Sequence, residues 1–498
     1  VALLRRVQRQ HPGDFRINSL LGFFLLKTQQ WDEALRFHTA ALAIRPHSSM
    51  THYHLGVALE RKGLMDEAIA AYREVIRLKP DDATAHYDLG VALRKKGLLD
   101  QAIDAYREAI RLKPDFAEAH CRLGAVLCDD KKDHDGAIVC FKQAIRLKPG
   151  EAVYHYNLGN SLRGKGLLDD AIAVYREAIR LKPDDAQTHC SLGITLGRKG
   201  QVDDEIRAYR EAIRLKSDYA LAHYGLGNEL AKKGLPDQAI AGYREAIRLN
   251  PNYANAHYNL GHVLCDHKKD YDGAAACFKE AIRLKPDHAM AHHGLGVTLE
   301  RNGQFDDAIA AYREAIRLEP DDAMAHHRLG VVLRGKGLLD DASAAFRHAV
   351  RLKRDWADAK DALASLLNKQ AWGLATHPEA KRRDPARAIT LLKEAVALKP
   401  QVGEIWNTLG VAHYRAGDWK EASAALEKSM KFRKGGDGFD WFFLAMAHWQ
   451  LGNKDQAREW HVKAVQWMDK NQPKSEQLRR FRAEAAELLS IEDGTKSK

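Results

Sequence analysis

The chain has 498 residues, with 78 Lys plus Arg against 67 Asp plus Glu and a formal net charge of +11. Apolar residues make up 45% and charged residues 29%, which is ordinary globular usage and excludes a disordered chain. No apolar run approaches the roughly 20 residues a membrane-spanning helix needs, and no N-terminal stretch reads as a signal peptide. Six cysteines are too sparse for a secreted disulfide framework, so a reducing, cytoplasmic compartment is expected.

Residues 1–14, opening with VALLRRVQRQHP, match only the second half of the unit that follows. The chain is therefore expected to be a piece of a longer polypeptide, cut inside a repeat array. From Phe15 a unit recurs. Its small residue falls at Gly22, Gly56, Gly90, Gly124, Gly159, Gly193, Gly227, Gly261, Gly296 and Gly330, a spacing of 34 residues that stretches to 35 twice. An Ala follows (Ala68, Ala102, Ala171, Ala239), then an aromatic (Tyr72, Tyr106, Phe141, Tyr175), then usually a Pro (Pro46, Pro80, Pro114, Pro149).

This order predicts two helices per unit. Gly and Ala let the paired helices approach, and the aromatic fills the space beside them. Apolar residues in AIAAYREAIRL recur at helical spacing. Gly63, Gly97 and Gly166 sit where the first helix must stop in a left-handed conformation. Asp66, Asp100 and Asp169 are expected to cap the second helix, and Asp82 and Asp322 the first helix of the next unit. Pro after RLK ends the second helix because it cannot continue the hydrogen-bond ladder. One such pair cannot bury its apolar face alone, so the pairs must stack into an all-α solenoid.

With Leu55-Gly56, Ala68, Tyr72 and Pro80 at its signature positions, the unit resembles the tetratricopeptide repeat (TPR). The resemblance covers nearly the whole chain and implies a right-handed superhelix of helix-turn-helix repeats. Ten regular repeats are expected over 15–356. An eleventh, 357–402, carries an insertion of about twelve residues around KQAWGLATHPEAKRRDP. Two more occupy 403–471, and 472–498 is read as a solvating end helix and tail. Repeats 3–6 (from Ala83) and 7–10 (from Ala220) are duplicates, down to the odd unit LCDDKKDHDGAIVCFKQAIRLKP against LCDHKKDYDGAAACFKEAIRLKP. Seven of the nine tryptophans lie at or after Trp372; they are expected to enlarge the core, with a docking face as the alternative.

Candidate chemistry is thin. His52, His86, His120, His155, His189, His223, His257, His292 and His326 recur at one position. A metal ladder is set aside because successive copies lie a whole repeat apart; the rings are expected to pack between the two helices. Cys128, His134 and Cys140 are spaced like a zinc loop, but the internal duplicate has Cys265, Tyr271 and Cys277. GNSLRGKG (159–166) lacks the Ser/Thr of a phosphate loop and lies in a helical pattern. No protein-kinase signature and no nucleophile-base constellation occurs, so the chain is expected to be non-catalytic and to need no cofactor or metal.

The TPR resemblance also implies a concave face lined by the first helices, through their fifth, ninth, twelfth and thirteenth positions. Carried onto this chain, the fifth positions give Tyr53, Tyr87, Tyr156, Tyr224 and Tyr258. The ninth give Asn160, Asn228 and His262. The last two give Arg61, Arg94, Lys95, Arg163, Arg198, Lys232, Arg301 and Arg334. The expectation is a tyrosine track flanked by positive charge, taking an extended protein segment, acidic or neutral, with no membrane or small-molecule substrate. Tyrosines that merely pack between repeats are the competing reading. No fifth position is Lys or Arg, which sets aside a chaperone-tail clamp. A basic run, Lys381, Arg382, Arg383 and Arg387, offers nucleic-acid contact as a disfavoured alternative. The C-terminal run from GDGFDWFFLAMAHWQ is similar to the tail of planctomycete-type bacterial proteins in which a Ser/Thr protein kinase domain precedes a TPR array. That similarity implies a docking or regulatory region for such a kinase. Glu205, standing where a small residue is expected, and Ser217, in place of a Pro, predict a looser sixth repeat.

Overall fold

The computed structural model describes residues 1–491, so the last part of the expected tail, 492–498, lies outside the described residues. The described residues are helical with no strand. They divide into two compact units, Val1–Pro251 and Asn252–Lys498.

In the first unit, helix Ala2–Gln10 precedes seven helix pairs: Phe15–Lys27 with Trp31–Ile44, Ser49–Arg61 with Met65–Leu78, Ala83–Lys95 with Leu99–Leu112, Ala117–Ala125 with His134–Leu147, Ala152–Lys165 with Leu168–Leu181, Ala186–Arg198 with Val202–Leu215, and Ala220–Lys232 with Pro236–Leu249. The second unit continues with Ala254–Val263 and Tyr271–Leu284, Ala289–Arg301 and Phe305–Leu318, Ala323–Gly335 and Leu339–Leu352, Ala357–Thr376 and Pro385–Leu398, Gly403–Ala416 and Trp419–Phe432, and Gly438–Gln450 and Lys454–Asn471. Helix Glu476–Leu489 follows. The fourth and eighth pairs extend their first helix by a π-turn, Val126–Asp130 and Leu264–Lys268. Those turns absorb the extra residue of the two 35-residue units. In the eleventh pair the insertion lengthens the first helix to 20 residues and adds a short 3-10 turn, Ala380–Arg382.

The small residues act as the sequence predicts. Tyr72, Tyr106, Tyr175 and Tyr312 are fully buried. A Cβ on Gly56 would stand 2.7 Å from the Tyr72 ring, and one on Gly90 2.7 Å from Tyr106. The hydroxyl donates to Glu60 from Tyr72 (3.0 Å), to Asn160 from Tyr175 (2.7 Å), to Asn228 from Tyr243 (2.9 Å) and to Glu300 from Tyr312 (2.6 Å). Phe141 and Phe278 stand in the units whose first helix runs on into the π-turn that carries Cys128 or Cys265. In the first pair a histidine takes the place: His38 is buried against Gly22, with neither ring nitrogen hydrogen-bonded.

Gly63, Gly97 and Gly166 do end their helices at φ of 79°, 81° and 84°. Asp82 and Asp322 do cap the following first helix. Asp66, Asp100 and Asp169 do not cap. The N-cap positions are Leu64, Leu98 and Leu167, which place each Asp inside the first turn of its helix. There it pairs with a Lys of the next unit: Lys96 with Asp66, Lys131 with Asp100 (2.7 Å) and Lys199 with Asp169. Lys62 with Asp32, Lys165 with Asp135, Lys233 with Asp203 and Lys336 with Asp306 repeat the contact.

The histidine position is also corrected. The rings do not fill the space between paired helices. At eight of these positions the Nε2 turns to a turn carbonyl six residues earlier, among them His52 to Pro46 (2.8 Å), His86 to Pro80 (3.1 Å), His155 to Pro149 (3.0 Å) and His326 to Pro320 (3.1 Å). That carbonyl sits just past a helix end, where no helical donor reaches it. Trp406 makes the same contact to Pro400 (2.8 Å). The tryptophans do not build a bulkier core either. Only Trp441 of the seven is buried, and Trp419 is 36% exposed. The last first-helix buries Phe442, Phe443, Leu444 and Met446 instead, while Lys428 covers Trp406 and Lys463 covers Trp460.

Candidate functional site

Along each first helix the fifth position projects one turn beyond the Gly-aromatic contact. That places Tyr53, Tyr87, Tyr156, Tyr224 and Tyr258 at the edge of the core, each half-buried. Their rings lean on the buried aromatic of the same pair: Tyr53 on Tyr72, Tyr156 on Tyr175 and Tyr224 on Tyr243 at 6.1 Å, Tyr87 on Tyr106 at 6.0 Å, Tyr258 on Phe278 at 5.9 Å. The hydroxyls reach toward the next pair. Tyr53 donates to Asp88 (2.9 Å), and Tyr156 accepts from Gln187 (2.7 Å). Tyr87 leans at a tilt on Phe116 at 5.0 Å, and Tyr258 stacks on His288 at 4.9 Å. Burial, with Asp88 beside it, pushes the Tyr53 hydroxyl well above its ordinary value. Burial likewise raises Asp88 to about 6, against the hydrogen bond from Tyr53.

The ninth positions are hooks inside the array. Asn160 and Asn228 accept the hydroxyls of Tyr175 and Tyr243, and His262 meets Tyr258 edge-on at 4.6 Å. The basic positions divide. Arg94 reaches Asp129 and Asp130 of the next pair, Lys95 reaches Glu60 (2.7 Å), Lys232 reaches Glu229 (2.5 Å), and Arg301 reaches Asp266 (2.5 Å). Arg163 leans on Asn160 (3.4 Å). Arg61, Arg198 and Arg334 are exposed, Arg198 donating to the Arg163 carbonyl (3.1 Å) and Arg334 lying over the Phe346 ring. A shallow cleft of about 280 Å³ is bounded by Val91, Arg94, Lys95, Tyr106 and Arg122.

A further cleft of about 430 Å³ lies among the last first-helices, bounded by Ser365, Asn368, Lys369, Trp372, Asn407 and Arg433 among others. Asn407 is buried and donates to Asp440 (2.7 Å), and Arg433 holds both Asp437 and Asp440. Ser365, Asn368 and Lys369 occupy the ninth, twelfth and thirteenth positions of their helix, and Asn407 the fifth of the next. Continuing the same count past residue 356 would have found them.

Helix Glu476–Leu489 packs one face against the preceding pairs. It buries Leu478, Phe481, Ala485, Ala486 and Leu489. Phe481 meets Phe443 at 4.8 Å and both Phe439 and Trp372 at 6.3 Å. Arg480 donates to the Thr376 carbonyl (2.6 Å), and Glu484 pairs with Arg415 (2.8 Å to Nη2). The helix thus lies against first helices of the last three pairs. In the basic run, Arg383 turns inward to the carbonyls of His377 (2.8 Å) and Pro378 (3.3 Å), Arg382 pairs with Glu379 and Arg387 with Asp340. Cys128 Sγ lies 3.6 Å from His134 Nδ1. No group of three or more His, Cys, Asp or Glu able to hold a metal ion occurs among the described residues. No helix among them is long and apolar enough to cross a membrane.

Within each unit, stacked helix pairs whose successive first helices touch define an α-solenoid of the protein-interaction class. Tetratricopeptide repeat profiles match residues 14–81, 53–117, 117–151, 159–200, 227–266, 267–318, 293–359, 380–433 and 441–460. The chain belongs to the tetratricopeptide repeat family. Similar solved structures include YrrB, described as a TPR protein with an unusual peptide-binding site (26% identity, 38% of this chain and 96% of that one, TM-score 0.34). MamA from Desulfovibrio magneticus RS-1 is 23% identical over 34% of this chain and 96% of its own, with a TM-score of 0.33. Yeast Tom70 is 16% identical over 90% and 96%, with a TM-score of 0.33. No curated protein matches the chain.

Proposed function

We propose that the chain is a non-catalytic scaffold that holds an extended segment of another protein, acidic or neutral, against its first-helix face. The observation that carries this reading is the row of fifth-position tyrosines. Each is half-buried, so its orientation is set before any partner arrives, and they stand one or two repeats apart, with Cys121 and Cys190 between them. A pre-set ring offers contact area at little entropic cost. Exposed Arg61, Arg198 and Arg334 add positive charge that favours an acidic segment. The contacts from Tyr53 to Asp88 and from Tyr156 to Gln187 serve the competing role of joining one repeat to the next. The triple substitution Tyr156→Ala, Tyr224→Ala and Tyr258→Ala separates the two roles. Loss of crosslinked partners from the native host with helical content retained supports the groove. Unchanged crosslinking rejects it. The similarity of the C-terminal tail to kinase-linked arrays adds a context, docking for a Ser/Thr protein kinase domain, and the reading frame before Val1 decides it.

A further inference from the structure

The sixth and seventh pairs of the first unit break the small-residue rule twice in one place. Glu205 stands where neighbouring pairs carry Ala171 and Ala239. Glu229 stands where they carry Thr195 and Val263. Both side chains are buried, at 4% and 3% exposure. Gly197 makes the room: a Cβ there would stand 2.3 Å from Glu205 Oε1, and the matching residue one repeat earlier is Arg163. One cation reaches the seam from solvent: Lys232, itself 69% exposed, donates to Glu229 at 2.5 Å. Glu205 Oε2 is buried with no hydrogen-bond partner. The surrounding charges are engaged elsewhere. On the second helix of the sixth pair, Asp203 pairs with Lys233 and Asp204 with Arg207. On its first helix, Arg198 turns to the Arg163 carbonyl. Tyr209 is the remaining titratable neighbour; its hydroxyl bonds to Glu205 and favours the charged carboxylate, against burial and Glu229.

Two buried carboxylates, only one of them met by an ammonium and that one exposed, leave one negative charge uncompensated. We propose that Glu205 carries a proton up to neutral pH, turned toward the Glu229 carboxylate, and that losing it is a switch that loosens the joint between the sixth and seventh repeats. Burial first, then the charge of Glu229, hold Glu205 up to about 7, against an ordinary value of 4.5. Between those values the folded joint keeps a proton that the opened chain has released. The joint is therefore firmest at the acid end of this window. It weakens as pH rises and is weakest above neutrality.

Hydrogen exchange of the whole chain, corrected for intrinsic rates, tests the switch. Between about pH 5 and about pH 8, peptides from 202–232 are expected to lose tenfold or more of their protection relative to 152–181. Glu205→Gln is expected to flatten that difference. A flat profile in the natural chain, or an equal slope in Glu205→Gln, overturns the proposal. Should the variant fail to fold, carbon-13 titration of the Glu205 carboxyl in the natural chain decides. A midpoint near 7 supports the switch, and one near 4.5 overturns it.

Discussion

Gly90 and His38 show how much one side chain decides in this array. Alanine at Gly90 would gain about 1 kcal/mol in helix propensity. Its Cβ, however, would meet the Tyr106 ring at 2.7 Å, and that ring is fully buried with nowhere to move. Overpacking of this kind costs ~1–3 kcal/mol, so Gly90→Ala should be net destabilising in urea denaturation. His38 is a buried base, held down to about 4 by burial first and then by nearby His54. Above about pH 6.5 the ring is neutral in both states, and pH has no leverage. Below that the unfolded ring takes a proton and the folded one does not, so stability is lost as pH falls toward about 4. The full gap corresponds to ~3 kcal/mol. Exchange protection in 15–44 should therefore drop on acidification, and His38→Phe should abolish the drop. The sign is opposite to that at Glu205, so acid loosens the first pair while it tightens the sixth.

At the scale of elements, the stacking contacts are of unequal weight. The Lys–Asp ladder is regular, but its carboxylates are exposed; Asp66 is 73% exposed and Asp100 87%. Exposed ion pairs are screened and entropically expensive to hold. Lys96→Ala should therefore shift the denaturation midpoint far less than Gly90→Ala does. The C-terminal helix is held by apolar burial instead. Phe481→Ala removes a fully buried ring from the cluster with Phe443, Phe439 and Trp372, at a cost of ~3–5 kcal/mol. Limited proteolysis near residues 472–475 should then be faster than in the natural chain.

Over the whole molecule, each helix pair touches few others, and cooperativity in such arrays decays with distance. Heat denaturation should therefore depart from two-state behaviour, with a calorimetric enthalpy larger than the van't Hoff enthalpy. Equality of the two would argue against independent segments. For the same reason the damage from Gly90→Ala should stay within the first unit when protection is mapped by hydrogen exchange.

The helix pairs, their stops at glycine and the Gly-aromatic contact were legible from residue spacing, because each depends on neighbours fixed by the 34-residue period. Periodicity also locates the candidate groove, since positions one repeat apart share a face. What periodicity could not assign is the partner of a polar side chain. Asp66 looked like a cap and became an ion-pair rung. The histidine row resembled core and became a set of clasps on turn carbonyls. Arg383 looked free to meet a ligand and turned inward. Glu205 looked like a packing defect, yet Gly197 accommodates it and Glu229 gives it a charged neighbour. Hydrophobic position follows from the local pattern of one helix, whereas the pairing of charges and hydrogen bonds depends on which atoms a second and third helix bring within about 3 Å.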